Sequence, residues 1–187
     1  WDVHHGNGTE TIFFDDPNVL TISLHQNNLF PPNSGGTDTS SHHKSNLNIP
    51  LPPGSGSGAY RAAFEKLVLP AVDKFEPHLI IIPSGFDSCA LDPLGMQMLS
   101  SADYRWMTRQ LLKSADKHCE GRLIATHEGG YSATYVPYCG LAVIEELSGA
   151  SECFEDPFQE MIASYGGQSI SNEQMESITA ASIESVS

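Results

Sequence analysis

The sequence predicts an α/β fold, a mainly parallel sheet covered by helices, on three observations: short β-branched apolar runs, helix-periodic stretches between them, and alternation of the two along the chain. Residues 19–24 (VLTISL) form the first run, and residues 79–82 (LIII), after Pro77 and His78, form the second. Both have the continuous apolar character of buried strands. Residues 122–126 (RLIAT) form a third, which ends before Gly129 and Gly130. Between the runs, residues 60–75 place Phe64, Leu67, Val68 and Val72 on one helical face, with Pro70 positioned to kink or split the helix. Residues 103–118 align Tyr104, Met107, Leu111 and Leu112 in the same way. In a parallel sheet of this kind, ligand-binding groups gather at the carboxyl ends of the strands.

Residues 28–58 are rich in Pro, Gly, Ser and Asn, which predicts irregular loops around a short extended piece at residues 47–51. After Gly149 an acidic tail carries two further amphipathic helical patterns, the last one fraying. There is no internal repeat and no sign of a second domain, so residues 1–187 are expected to form one. The nine Lys and Arg against 23 Asp and Glu give a formal charge of −14, which repels a phosphate backbone and argues against direct nucleic-acid binding. No apolar run approaches the ~20 residues of a membrane span. The four cysteines, Cys89, Cys119, Cys139 and Cys153, form neither a CxxC pair nor a disulfide scaffold, so a reducing compartment, the cytoplasm, is expected.

Three clusters could carry chemistry. At the front, Asp2 and His4 of DVHH point to the same side of an extended segment, because side chains alternate with a period of two. An acid and an imidazole could thus meet one metal; the alternative is an exposed terminus with a coincidental His pair. The second cluster, SGFD at residues 84–87, follows the LIIIP run, and Asp92, Pro93, Leu94 and Gly95 lie further on. Asp87 then stands where an α/β fold places a ligand-binding group, although a loop or helix-capping role would also suit it. Two Asp oxygens and one His nitrogen would leave coordination positions open, as catalytic zinc requires. The third cluster is HEGGY at residues 127–131, where Gly129 and Gly130 could bring Tyr131 to a cleft as a donor to an oxyanion, or simply make a turn around a half-buried tyrosine.

Taken together, DVHHGNGT, SLHQ with LFPP, NIPLPPGSG, SGFDSCALDPLG, YRWMT and HEGGYS resemble the histone-deacetylase-like family, in its class II branch and bacterial relatives, in order from Trp1 to about Leu147. The resemblance implies a three-layer α/β/α domain of arginase/deacetylase type. It implies Asp2, His4 and Asp87 as zinc ligands, with iron(II) as the alternative metal, and Tyr131 as the residue that polarises the scissile carbonyl. Phe30 and Leu94 would line an acyl-lysine channel, with Gly129 and Gly130 beside it. Potassium sites, structural in role, would fall on Asp2 and Ser23 with the carbonyls of His4 and Leu24, and on Phe13, Asp16 and Val19. The implied activity is removal of acetyl groups from acetyl-lysine in proteins. Hydrolysis of acetylpolyamines is the nearest rival, and a non-catalytic acyl-lysine-binding remnant is a third reading; the family is also compatible with a homo-oligomer.

Against the family pattern, the chain starts after the point where relatives carry a tandem His pair and their first strands. That implies an amino-terminally truncated domain, inactive or weak by itself, in which Asn7 lacks the His it would orient. The stretch SSHHKS at residues 40–45 replaces a glycine-rich segment; His42 and His43 are a conceivable substitute dyad, but a surface loop is the simpler expectation.

Overall fold

The structure, a computed structural model, describes residues 1–39 and 41–181. Ser40, which opens the SSHHKS stretch, and residues 182–187, over which the last tail helix is expected to fray, lie outside the described residues.

Strand β1 (Thr21–Gln26) pairs in parallel with β2 (Asn46–Leu51), Thr21 opposite Asn46 and Gln26 opposite Leu51. Strand β3 (Ile80–Ser84) pairs in parallel with β4 (Leu123–His127), Ile80 opposite Leu123 and Ser84 opposite His127. The parallel pairing is as predicted, but β1, β3 and β4 run past their apolar runs, because the ladder continues through the polar residues Gln26, Ser84 and His127. Residues 47–51, expected as an extended piece among loops, belong to a full strand. Every residue of β2 is buried, since Leu47, Ile49 and Leu51 enter the core. The amides of Asn46 and Asn48 meanwhile donate to Glu10 Oε2 at 2.9 and 2.7 Å. Among the described residues the four strands form two pairs. The LIII run is not buried on both faces: Ile82 is 4% exposed, but Ile81 is 58% exposed.

The helix expected over residues 60–75 is built as α2 (Ser57–Ala63), a π-helical segment (Phe64–Val68) and α3 (Leu69–Phe75). Pro70 has no N–H and would crowd a regular α-turn, and the chain widens just before it, with the Leu69 N–H bonding to the Phe64 carbonyl five residues back. The next helix, α4 (Ser101–Cys119), begins where Asp103 accepts the Ser100 N–H and hydroxyl, each at 2.9 Å. It ends at left-handed Glu120 and Gly121. Two helices went unforeseen, α1 (Asn7–Phe13) and α5 (Val136–Ser148). The second was punctuated in the sequence by Pro137 at its start and Gly149, with φ of 67°, just past its end. The tail forms its two expected helices, α6 (Gln159–Ser164) and α7 (Asn172–Ala180).

The core gathers Leu24, Leu47, Ile49, Tyr60, Phe64, Leu99 and Met107 between strands and helices. The tail is fastened to it by polar contacts. Asp156 accepts the hydroxyls of Ser101 and Tyr135 at 2.6 and 2.7 Å, and the buried Arg105–Glu145 pair joins α4 to α5 at 2.5 Å.

Candidate metal centre

Residues 1–5 are threaded between the ends of β1 and β3. The Gln26 N–H donates to the Val3 carbonyl at 2.9 Å, and the Trp1 indole N–H donates to Ser84 Oγ at 2.9 Å. Val3 is fully buried, so its neighbours Asp2 and His4 both project to the other side. There they meet Asp87, which lies three residues beyond the end of β3. One donor atom from each of Asp2, His4 and Asp87 lies within 4.8 Å of the others. His4 Nδ1 is 3.0 Å from Asp2 Oδ1 and 3.1 Å from Asp87 Oδ2.

Asp87 is wholly buried. Its Oδ1 accepts the Val3 N–H at 2.8 Å, but its Oδ2 is buried with no hydrogen-bond partner. Burial first, and the neighbouring Asp2 charge, push its carboxyl up to about 6 against the opposing pull of the Val3 N–H. A buried carboxylate oxygen that accepts no hydrogen bond and lies 3.1 Å from the His4 ring nitrogen, a second carboxylate and that imidazole form a donor set that fits a divalent cation of the zinc type with open positions.

The third cluster closes on the same point. The Gly129 N–H donates to Asp2 Oδ2 at 3.0 Å, and the Phe86 N–H donates to the Gly129 carbonyl at 2.8 Å. No side chain fits at this approach: a Cβ at Gly129 would collide with Asp87 Oδ2, and one at Gly85 with Asp2 Oδ2. Gly130 follows with φ of 132°. The Tyr131 N–H then donates to Asp92 Oδ2 at 2.7 Å, and the residue is 53% exposed.

Phe30 packs edge-on against His4, with ring centroids 6.0 Å apart, and is itself largely exposed. Leu94 is also exposed, its N–H held by Asp92 Oδ1 at 2.8 Å. Ser23 Oγ accepts the Gly6 N–H at 3.1 Å, which sets Ser23 and Leu24 of β1 beside the front segment. Phe13, Asp16 and Val19 gather in one turn between α1 and β1, where the Phe13 carbonyl accepts from Asp16 and the Asp16 carbonyl from Val19. Asn7 opens α1, its carbonyl accepting the Thr11 hydroxyl. His42 and His43 sit exposed on the turn between Ser41 and Ser45, as a surface loop should. Sequence reasoning passed over Gly85 and Asp92 as functional positions; both lie in the quoted SGFDSCALDPLG stretch, and the signal for Gly85 was a glycine directly at the end of an apolar strand.

The profile of the histone deacetylase domain matches residues 1–147. The chain belongs to the histone deacetylase family. Within that family it is 49% identical over 165 residues to a histone deacetylase-like amidohydrolase of Pseudomonas aeruginosa, a match covering 87% of this chain and 43% of that protein. It is 40% identical over 154 residues to a probable deacetylase of Archaeoglobus fulgidus, covering 80% of this chain and 42% of the relative. The solved structure of the histone deacetylase Clr3 superposes with a TM-score of 0.82 at 32% identity, over 96% of this chain and 29% of Clr3. The chain therefore spans less than half the length of these histone deacetylase relatives. The likeness to Clr3 also extends beyond residue 147, so the tail follows the family's fold more closely than its sequence suggested.

Proposed function

We propose that the protein is a zinc-dependent deacetylase that hydrolyses the acetyl amide of acetyl-lysine in proteins. The observation that carries this reading is the convergence of Asp2, His4 and Asp87 at one point, with the loop bearing Tyr131 hydrogen-bonded to the same Asp2 carboxylate. Zinc bound there, or iron(II) on the same donors, would supply Lewis acidity toward the acetyl carbonyl and make a water acidic enough to attack.

The chain's own groups supply the rest. Val3 and Gly129 N–H groups fix one oxygen of Asp87 and one of Asp2, which leaves Asp87 Oδ2 and His4 to face the reacting centre. Tyr131, two residues beyond Gly129, donates its hydroxyl to the oxyanion that develops on the acetyl carbonyl, a contribution worth about 3 kcal/mol for a well-placed donor. Phe30 and Leu94 offer exposed apolar surface suited to the methylene stem of a lysine. His5 is not the general base, since its ring nitrogens are engaged by Ser34 at 3.0 Å and Glu10 at 3.2 Å. Structural potassium at Asp2, Ser23 and the carbonyls of His4 and Leu24, and at the turn of Phe13, Asp16 and Val19, belongs to the same proposal, since hard oxygen donors suit such an ion.

The test compares turnover of an acetyl-lysine peptide and of acetylputrescine by the full-length natural protein. Chelation should abolish turnover, zinc should restore it, and the peptide should be preferred. Tyr131→Phe should cut kcat by ~10²-fold or more. Full activity in that variant, or indifference to chelator, refutes the reading, and a preference for acetylputrescine transfers it to polyamines.

A further inference from the structure

We propose that Asp92 is the positioning residue of Tyr131, a single carboxylate that fixes the tyrosine loop and the Leu94 wall relative to each other; this rests on the deacetylase reading above. Asp92 is 9% exposed, and among the described residues it has no Lys, Arg or His in salt-bridge contact. Its charge is held instead by three backbone N–H groups. Oδ1 accepts from Leu94 at 2.8 Å and from Gly95 at 3.2 Å, while Oδ2 accepts from Tyr131 at 2.7 Å.

The two oxygens do different things. The Oδ1 contacts close a local turn two and three residues on, a task that Asn also performs and Ser performs more weakly. The Oδ2 contact crosses 39 positions of sequence to the loop that carries Tyr131. An Asn that kept its carbonyl oxygen on the turn would aim an NH2 donor at the Tyr131 N–H, so the second contact requires a carboxylate.

The geometry gives that contact leverage. The loop from Gly129 to Tyr131 is pinned at its first residue by Asp2 and at its last by Asp92. Gly130, with φ of 132°, lies between as a point of backbone freedom. Tyr131 is half exposed, and its anchored amide sets where the side chain leaves the backbone. Misplacing a donor by about 1 Å can cost up to ~10²-fold in rate.

The experiment uses the full-length natural protein loaded with zinc. Asp92→Asn should lower kcat by about tenfold or more, with KM and zinc content little changed. In the Tyr131→Phe background the same change should cost less than about twofold, because the hydroxyl it positions is gone. Replacing the Tyr131 amide by an ester, which deletes this N–H and leaves Asp92 with its turn, should reproduce the kcat loss even if Asp92→Asn folds poorly. Independently of activity, the Tyr131 amide should exchange slowly with solvent in the parent protein and quickly in Asp92→Asn. Losses that multiply fully in the double variant, a harmless ester, or a Tyr131 amide that exchanges freely in the parent each overturn the proposal. Full activity of Tyr131→Phe would instead sink the tyrosine's role in catalysis, and the exchange measurement would still decide the Asp92 tie.

Discussion

The two strand pairs have the same parallel register but opposite surroundings. In the β1–β2 pair every residue of β2 is buried, with α7 packed on β2 and α1 on β1. In the β3–β4 pair Ile82 is buried on the side of α4, while Ile81 and Ile124 on the opposite face are 58% and 50% exposed. Parallel strands are normally covered on both faces. Asp87 and the Gly129–Tyr131 loop of the candidate metal centre nevertheless follow β3 and β4, and the closed pair anchors the segment that carries Asp2 and His4: Gln26 at the end of β1 holds the Met96 N–H at 2.8 Å and the Val3 carbonyl. The difference separates where the chemistry is placed from where stability is concentrated.

That separation is broken most severely at Asp87. Asp87→Ala removes the buried oxygen that accepts no hydrogen bond, and should lower zinc retention after dialysis and deacetylation by at least ~10²-fold, with the fold retained by circular dichroism. The next largest effect is expected in the closed pair. Ile49→Ala empties a wholly buried position and should cost about 3 kcal/mol in urea unfolding, whereas Ile81→Ala on the open face should cost under ~1 kcal/mol. Equal costs at the two positions would erase the contrast.

Acid and base should tell the two pairs apart as well. Burial first, then the charge of His5, lowers His25 in β1 from 6.5 to about 4. The unfolded chain takes up that proton more readily, so this contribution is complete above about 6.5 and is lost as pH falls toward about 4. Asp87 has the opposite sign: its carboxyl is raised from 3.8 to about 6, so in chelator-stripped protein stability is greatest below 3.8 and declines as pH rises toward 6. Each effect is on the order of 3 kcal/mol at most. Urea midpoints measured across this range should show the decline with rising pH disappear in Asp87→Asn and in the zinc-loaded protein, and the loss with falling pH disappear in His25→Asn.

Legibility in the sequence followed the same division. Apolar runs located three of the four strands, β1, β3 and β4, and helical periodicity the helices around Pro70 and over residues 103–118, since burial imposes a pattern that residues 19–24 and 122–126 display directly, whereas β2 was expected only as an extended piece among loops. It could not reveal that Ile81 faces outward, because exposure depends on what covers the sheet and not on the residue. Helix α5 is marked in the sequence only by Pro137 and Gly149 at its two ends, and α1 lacks a capping side chain altogether. Asp2, His4 and Asp87 were legible as strand-end and alternation features, and they do converge. The use of Asp92 was not legible, since a contact across 39 positions leaves no local trace.

The smallest predicted effect tests the open face itself. Ile81→Thr with Ile124→Thr keeps β-branched side chains in both strands and removes apolar surface that is already half exposed, so ladder geometry is preserved while little burial is lost. Unfolding free energy should change by no more than about 0.5 kcal/mol per site. The melting temperature of this chain without substitutions should also be independent of protein concentration, since its exposed isoleucines draw no stability from a second copy. A loss above ~2 kcal/mol, or a melting temperature that climbs with concentration in the parent and not in the double variant, would mean that these isoleucines are covered in solution. The two pairs would then be equally enclosed, and the site would no longer stand on the less protected half of the molecule.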